Sequence, residues 1–214
     1  MNHDIIEQRL GLLTILILIV ISVGGLVEIV PLMLSAAAKQ GDVHVVPRTA
    51  LEQAGFDVYV REGCYLCHSQ MIRPFRSETE RYGPYSVAAE SQYDHPFQFG
   101  SKRTGPDLAR IGGRYSDEWH QIHLHNPRDV VPESNMPGYP WLAKEHFDPG
   151  EVPAMMRALR QVGVPYTDAD IAKADEDVAG KSKMDALIAF LQSLKLPRPD
   201  TAAAPAPAKA EGAP

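Results

Sequence analysis

Leu10 to Val27, "LGLLTILILIVISVGGLV", contains no charged side chain, and this run limits the architecture more than any other feature of the chain. At 1.5 Å per residue a helix over it spans roughly 27 Å, close to a bilayer's hydrocarbon thickness. In lipid the backbone polar groups must be satisfied internally, which a helix does. Apolar character continues past Glu28 through "IVPLMLSAAA", so the helix is expected to run to about Ala38. A cleaved signal peptide is the competing reading, and Ala36 to Ala38 offer an Ala-x-Ala-like site. A signal core is shorter, however, and follows a basic segment. Here Asp4 and Glu7 precede the run, with Arg9. An uncleaved anchor is the expectation. Arg9 before the span and Lys39 and Arg48 after it do not fix its orientation. Glu28 either sits at the outer interface or faces a partner helix or wet cavity, and Pro31 permits a kink in both cases.

The remainder has the character of a soluble domain. A net charge of −6 over 214 residues provides no basic footprint for nucleic acid. Thr49 reads as an N-cap for a helix through about Glu62, with Leu51, Ala54, Phe56, Val58 and Tyr59 as apolar contacts. Residues 69–104 have no sustained period and read as a long ordered loop. Ser116 opens another helix with Asp117 and Glu118 in its first turn, ending before Pro127. Further helices are expected over about 149–162 and 168–179. A last one over 182–195 lines up Met184, Leu187, Ile188, Leu191 and Leu194, its end marked by Pro197. The Ala/Pro tail is disordered by composition. With no internal repeat and no convincing strand run, the fold class is mostly α. The expected divisions are a 1–9 N-terminus, a 10–38 transmembrane anchor, a 39–197 helical domain and a 198–214 tail.

The two cysteines lie in "REGCYLCHSQ", three apart, with His68 directly after the second. A disulfide between them would close a loop too small to stabilise much. C-x-x-C-H is the attachment signal for c-type haem: thiols on one tight turn reach the two vinyl groups of one haem edge, and the following imidazole turns to the iron. Cys64 and Cys67 are therefore the expected covalent tethers and His68 the proximal ligand. A redox dithiol would expect a βαβ setting, and zinc would need His95, His120, His123 or His125 at unusual spacing. For the sixth ligand, Met1 and Met33 lie in or before the anchor, Met71 is too close to His68, and Met155, Met156 and Met184 fit helix faces. Met136, alone in "PESNMPGYPW", is the candidate. His/Met ligation fills the coordination sphere and favours electron transfer. His120 and His123 share a helix face and read as surface or interface residues, with metal binding or an alternative axial ligand as the competing roles.

"GCYLCHSQ", "RTGPDLARIGGRYS" and "NPRDVVPESNMPGYPWL", in that order, resemble a class I cytochrome c domain. The resemblance implies that Gly105 and Pro106 pack near the proximal ligand, the Pro106 carbonyl accepting from His68 Nδ1–H. It also implies that the 182–195 helix packs across the 49–62 helix. The insert at about 69–104, together with "GGLVEIVPL", is similar to the membrane-anchored mono-haem subunit (subunit II) of cbb3-type cytochrome c oxidases, over about residues 5–196. That family implies one covalent haem c relaying electrons from a di-haem or soluble cytochrome c to the b-type haem of a catalytic subunit. It implies no catalysis by this chain itself. The haem-attachment machinery works outside the bacterial inner membrane, which implies a cytoplasmic N-terminus and a periplasmic domain. Tyr82, Tyr85, Tyr93, Phe97 and Phe99 of the insert are candidate docking anchors. Competing readings are a free anchored carrier, the cytochrome subunit of a nitric oxide reductase, and a haem sensor with an exchangeable sixth position.

Overall fold

A computed structural model describes residues 4–34, 45–100 and 102–196. The chain divides into two compact units, Met1–Gly41 and Asp42–Pro214. In the first, a short helix α1 (Asp4–Glu7) precedes α2 (Leu10–Leu34), a 25-residue helix with Pro31 inside it and no buried residue. By length and composition α2 is a candidate membrane span. Residues 35–38, which the sequence assigns to the same helix, lie outside the described residues, as do Pro197 and the Ala/Pro tail.

The second unit is built on α3 (Ala50–Arg61) and α8 (Lys183–Ser193). Both begin with capping boxes. In α3, Thr49 Oγ1 accepts from Glu52 N while Glu52 Oε2 accepts from Thr49 N; in α8, Ser182 and Asp185 do the same. The two helices cross where Gly55 lies directly against α8. A Cβ on Gly55 would sit 1.9 Å from the Ala186 carbonyl oxygen, so no side chain fits. Phe190 meets Phe56 edge-on at 5.4 Å and Tyr59 at 5.3 Å. Met184, Leu187, Ile188, Leu191 and Leu194 are buried along the stripe that the sequence marked. Full burial of each such side chain is worth about 1.5–3 kcal/mol.

Helices α6 (Glu151–Gln161) and α7 (Asp168–Val178) pack on each other and on α3. They enclose a second cluster around Val152, Met156, Val164 and Ile171, and Met155 lies at its edge. Helix α5 (Asp117–His125), which Ser116 caps by accepting from Trp119 N, packs on α8. Among the described residues there is no strand, only one isolated bridge between His146 and Ser182.

The stretch read as a long ordered loop contains α4 (Arg76–Tyr82) and a 3-10 turn at Ala88–Ser91. The helix forms without an apolar stripe because ion pairs hold it. Arg76 and Glu80 pair along its outside, and Glu78 turns inward to Arg73 and Arg103. Two further ion pairs, each with one buried partner, tie the insert down. Arg110 grips Glu90 through both carboxylate oxygens, at 2.7 and 2.8 Å. Arg48 binds Asp94 at 2.6 Å, with its guanidinium 4.7 Å from the Phe56 ring centroid.

Candidate functional site

Gly63 ends α3 with φ +72°, in the left-handed region that glycine adopts freely. This redirects the chain into a single 3-10 turn over Cys64–Leu66. Cys67 N and His68 N both donate to the Cys64 carbonyl, at 3.2 and 3.0 Å, so both thiols and the imidazole leave one compact turn. Cys64 is half-buried and Cys67 exposed. Burial pushes the Cys64 thiol up to about 12.

His68 Nδ1 stands 2.8 Å from the Pro106 carbonyl oxygen. A carbonyl only accepts, so this contact puts the proton on Nδ1 and leaves the Nε2 lone pair free. Burial lowers the affinity of the ring for a second proton, against the opposing effects of the Pro106 carbonyl and Asp107. Gly105 lies against the ring itself: a Cβ there would be 2.3 Å from Cε1. Two backbone bonds bracket this contact, Gly105 N to Cys67 O at 3.0 Å and Leu108 N to Ser69 O at 2.9 Å.

Met136 is half-buried and packs against the core cluster that Cys64 also touches. Its amide donates to Ser134 Oγ at 3.2 Å, and its segment is pinned to the end of α5 by Tyr139 N donating to Leu124 O at 2.7 Å. Tyr139 and Tyr59 both lie near Cys64. Burial raises each phenol, and the neighbouring thiol adds to this.

His120 is 3 % exposed, which corrects its reading as a surface residue. Both His120 and His123 are held neutral chiefly by burial, and His123 also by the nearby His120 and His68. Tyr115, Trp119 and His123 stack in series along α5, with centroids 4.0 and 4.6 Å apart. Of the aromatic residues proposed for docking, Tyr82 is 8 % exposed and lies beneath the Arg81 and Arg103 guanidinium groups, so it is structural. Tyr93 packs against the second cluster. Phe97 and Phe99 remain exposed and stacked on each other at 5.6 Å, and Tyr85 is exposed as well.

Sequence reasoning missed Ser69, Arg103 and Asp107, which join the two sides of the His68–Pro106 contact. Asp107 is adjacent to the Gly-Pro pair and Ser69 to the histidine, but nothing in either position announced that the two would meet. The fit to a c-type haem rests on three features: two thiols and a free Nε2 on one turn, a glycine where any Cβ would strike the imidazole, and a thioether side chain beside the same core cluster.

No curated protein matches the chain. The family model described as "Cytochrome C oxidase, mono-heme subunit/FixO" matches residues 3–185. The chain thus belongs to the FixO family of mono-haem, electron-transferring cytochrome c oxidase subunits, the subunit II of cbb3-type oxidases.

Proposed function

We propose that this chain is the non-catalytic electron relay of its oxidase, carrying one covalent haem c on Cys64, Cys67, His68 and Met136. Cys64 and Cys67 would hold the haem by addition of each S–H across a vinyl group, which needs no oxidant. His68 Nε2 and Met136 Sδ would hold the iron, with Gly105 and Pro106 keeping the imidazole in place. When bound, the iron cycles between ferrous and ferric and so accepts and passes single electrons. The residues of the chain keep two ligands on it in both states and exclude a competing sixth ligand. The observation that carries this reading is the 2.8 Å contact from His68 Nδ1 to Pro106 O. Hydrogen bonding of this kind orients a ligating imidazole and raises its basicity.

The proposed path runs from a di-haem or soluble cytochrome c to the b-type haem of the catalytic subunit. The proposed divisions are a cytoplasmic 1–9 segment, a 10–38 anchor in a bacterial inner membrane, a periplasmic 39–197 haem domain and a 198–214 tail. Phe97, Phe99 and Tyr85 give the insert an exposed aromatic face suited to a partner subunit. Burying aromatic anchors of this kind commonly dominates interface energy. The test is purification of the C-terminally tagged chain from its native membranes in mild detergent, with reduced-minus-oxidised spectra and oxygen uptake. The expected result is covalent c-type haem accompanied by b-type haem and oxygen consumption. Covalent haem alone, in a stable preparation that consumes no oxygen, would leave a free carrier. Haem that is extracted by acidic acetone would refute the covalent site.

A further inference from the structure

One polar network links α4 of the insert to both sides of the His68–Pro106 contact. Its centre is Asp107, whose side chain is fully buried. Asp107 Oδ2 accepts from Ser69 Oγ at 2.6 Å and Met71 N at 2.9 Å, and Oδ1 accepts from Ala109 N at 2.9 Å. Ser69 follows His68 and Asp107 follows Pro106, so one carboxylate fastens the chain beyond the imidazole to the chain beyond the carbonyl. Arg103 extends the network outward. Its Nε donates to Ser69 Oγ at 2.6 Å, Nη2 to Met71 O at 3.0 Å and to Asp107 at 3.4 Å, and Nη1 to Glu78 on α4. The same guanidinium lies over the Tyr82 ring. Glu78, Tyr82, Arg103, Gly105 and Pro106 line one cavity, which sets α4 beside the Gly-Pro pair.

We infer that Arg103 and Asp107 are positioning residues that hold the His68–Pro106 hydrogen bond at its length and couple it to the insert. This rests on the assignment of His68 as an axial ligand. The consequence is a haem potential that depends on the guanidinium fork of Arg103 as well as its charge. Carbonyl acceptance from Nδ1–H makes the imidazole a better donor, which favours the ferric state, so loosening that bond raises the reduction potential. Charge alone works differently. Losing the Asp107 carboxylate would raise the potential, losing the Arg103 cation would lower it, and replacing Arg103 by lysine would leave it unchanged. Lysine keeps the charge but loses the planar fork that reaches Ser69, Met71, Asp107 and Glu78 together.

The decisive variant is R103K in the full chain in detergent micelles. Two quantities are read: the reduction potential by spectroelectrochemistry, and the exchange rate of the His68 Nδ1 proton by NMR in the ferrous form. The expected result is a raised potential together with at least tenfold faster proton exchange. An unchanged or lowered potential, or unchanged exchange, overturns the positioning role. Should R103K fail to take up haem, Ser69→Ala carries the same expectation and the same refutation, since it removes only the hydroxyl that bridges Arg103 and Asp107. The wild-type spectrum separates the two levels of the argument. A six-coordinate His/Met spectrum with no response in the variants refutes the positioning role alone. A wild type lacking His68 ligation refutes the positioning role together with the assignment of His68 beneath it.

Discussion

Replacing Gly105 by alanine tests the geometry of the proximal side. A Cβ at this position would lie 2.3 Å from His68 Cε1 and 2.8 Å from each ring nitrogen, where ordinary contact begins near 3.4 Å. Ring or loop must give way by about 1 Å, which carries the 2.8 Å Nδ1–O contact past hydrogen-bonding range. A hydrogen bond of this kind is worth about 1 kcal/mol net. For a one-electron couple, about 59 mV corresponds to a tenfold change in the equilibrium constant, or about 1.4 kcal/mol. If the bond favours only the ferric state, its loss raises the potential by up to about 40 mV. The assay is a spectroelectrochemical titration of the c-type haem in G105A, with the Met136 ligation band confirming that the sixth ligand is retained. A potential that stays put or falls would show that the Pro106 carbonyl does not tune the iron.

At the α3/α8 crossing, G55A drives a Cβ into the Ala186 carbonyl, and overpacking of this kind costs about 1–3 kcal/mol or more. Denaturant titration should place it near or above the upper figure, and wild-type stability would contradict the crossing. Removing Asp94 strands the half-buried Arg48 cation; breaking a fully buried pair costs about 3–5 kcal/mol. Stacking of Arg48 on Phe56 and Phe190 should keep D94A at the low end in the same titration. Glu78 is held down at about 2, below its ordinary 4.5, chiefly by its hydrogen bond from Arg103 and then by Arg73, against burial. Its folded value is depressed, so its contribution is present above about 4.5 and is lost as pH falls towards 2. The gap in urea midpoint between wild type and E78Q should therefore close over that interval, and a gap independent of pH would contradict the pairing. M136L should bind carbon monoxide readily in the ferrous form while the wild type resists it; ready binding by both would show an exchangeable sixth position, and resistance by both would assign that position to another residue.

Helices with local signals were legible in the sequence. Thr49 with Glu52, Ser116 with its acidic first turn, and the Met184–Leu194 stripe each carry their start or buried face within a dozen residues. Helix α4 was missed because "RSETERY" buries only Glu78 and Tyr82. Its stability comes from ion pairs, one of them to Arg103, distant in sequence, so no periodicity marks it. Tyr82 looked like an exposed anchor for the same reason, since its cover is two guanidinium groups rather than an apolar neighbour. At the site, the C-x-x-C-H turn is local chemistry and could be read directly. The Ser69–Asp107–Arg103 network is a product of folding, assembled from positions that a sequence keeps apart. His120 was misplaced because its burial depends on how α5 is seated, which its composition does not encode.

The central claim is that electrons reach the oxygen-reducing subunit through the haem of this chain. The direct measurement is stopped-flow mixing of the fully reduced, intact oxidase with oxygen, following the c-type α-band of this subunit. That band should lose one electron per chain at least as fast as steady-state turnover, with the phase slowed in a variant of Phe97 and Phe99 that still assembles. A c-type haem that stays reduced while oxygen is consumed would contradict the relay outright.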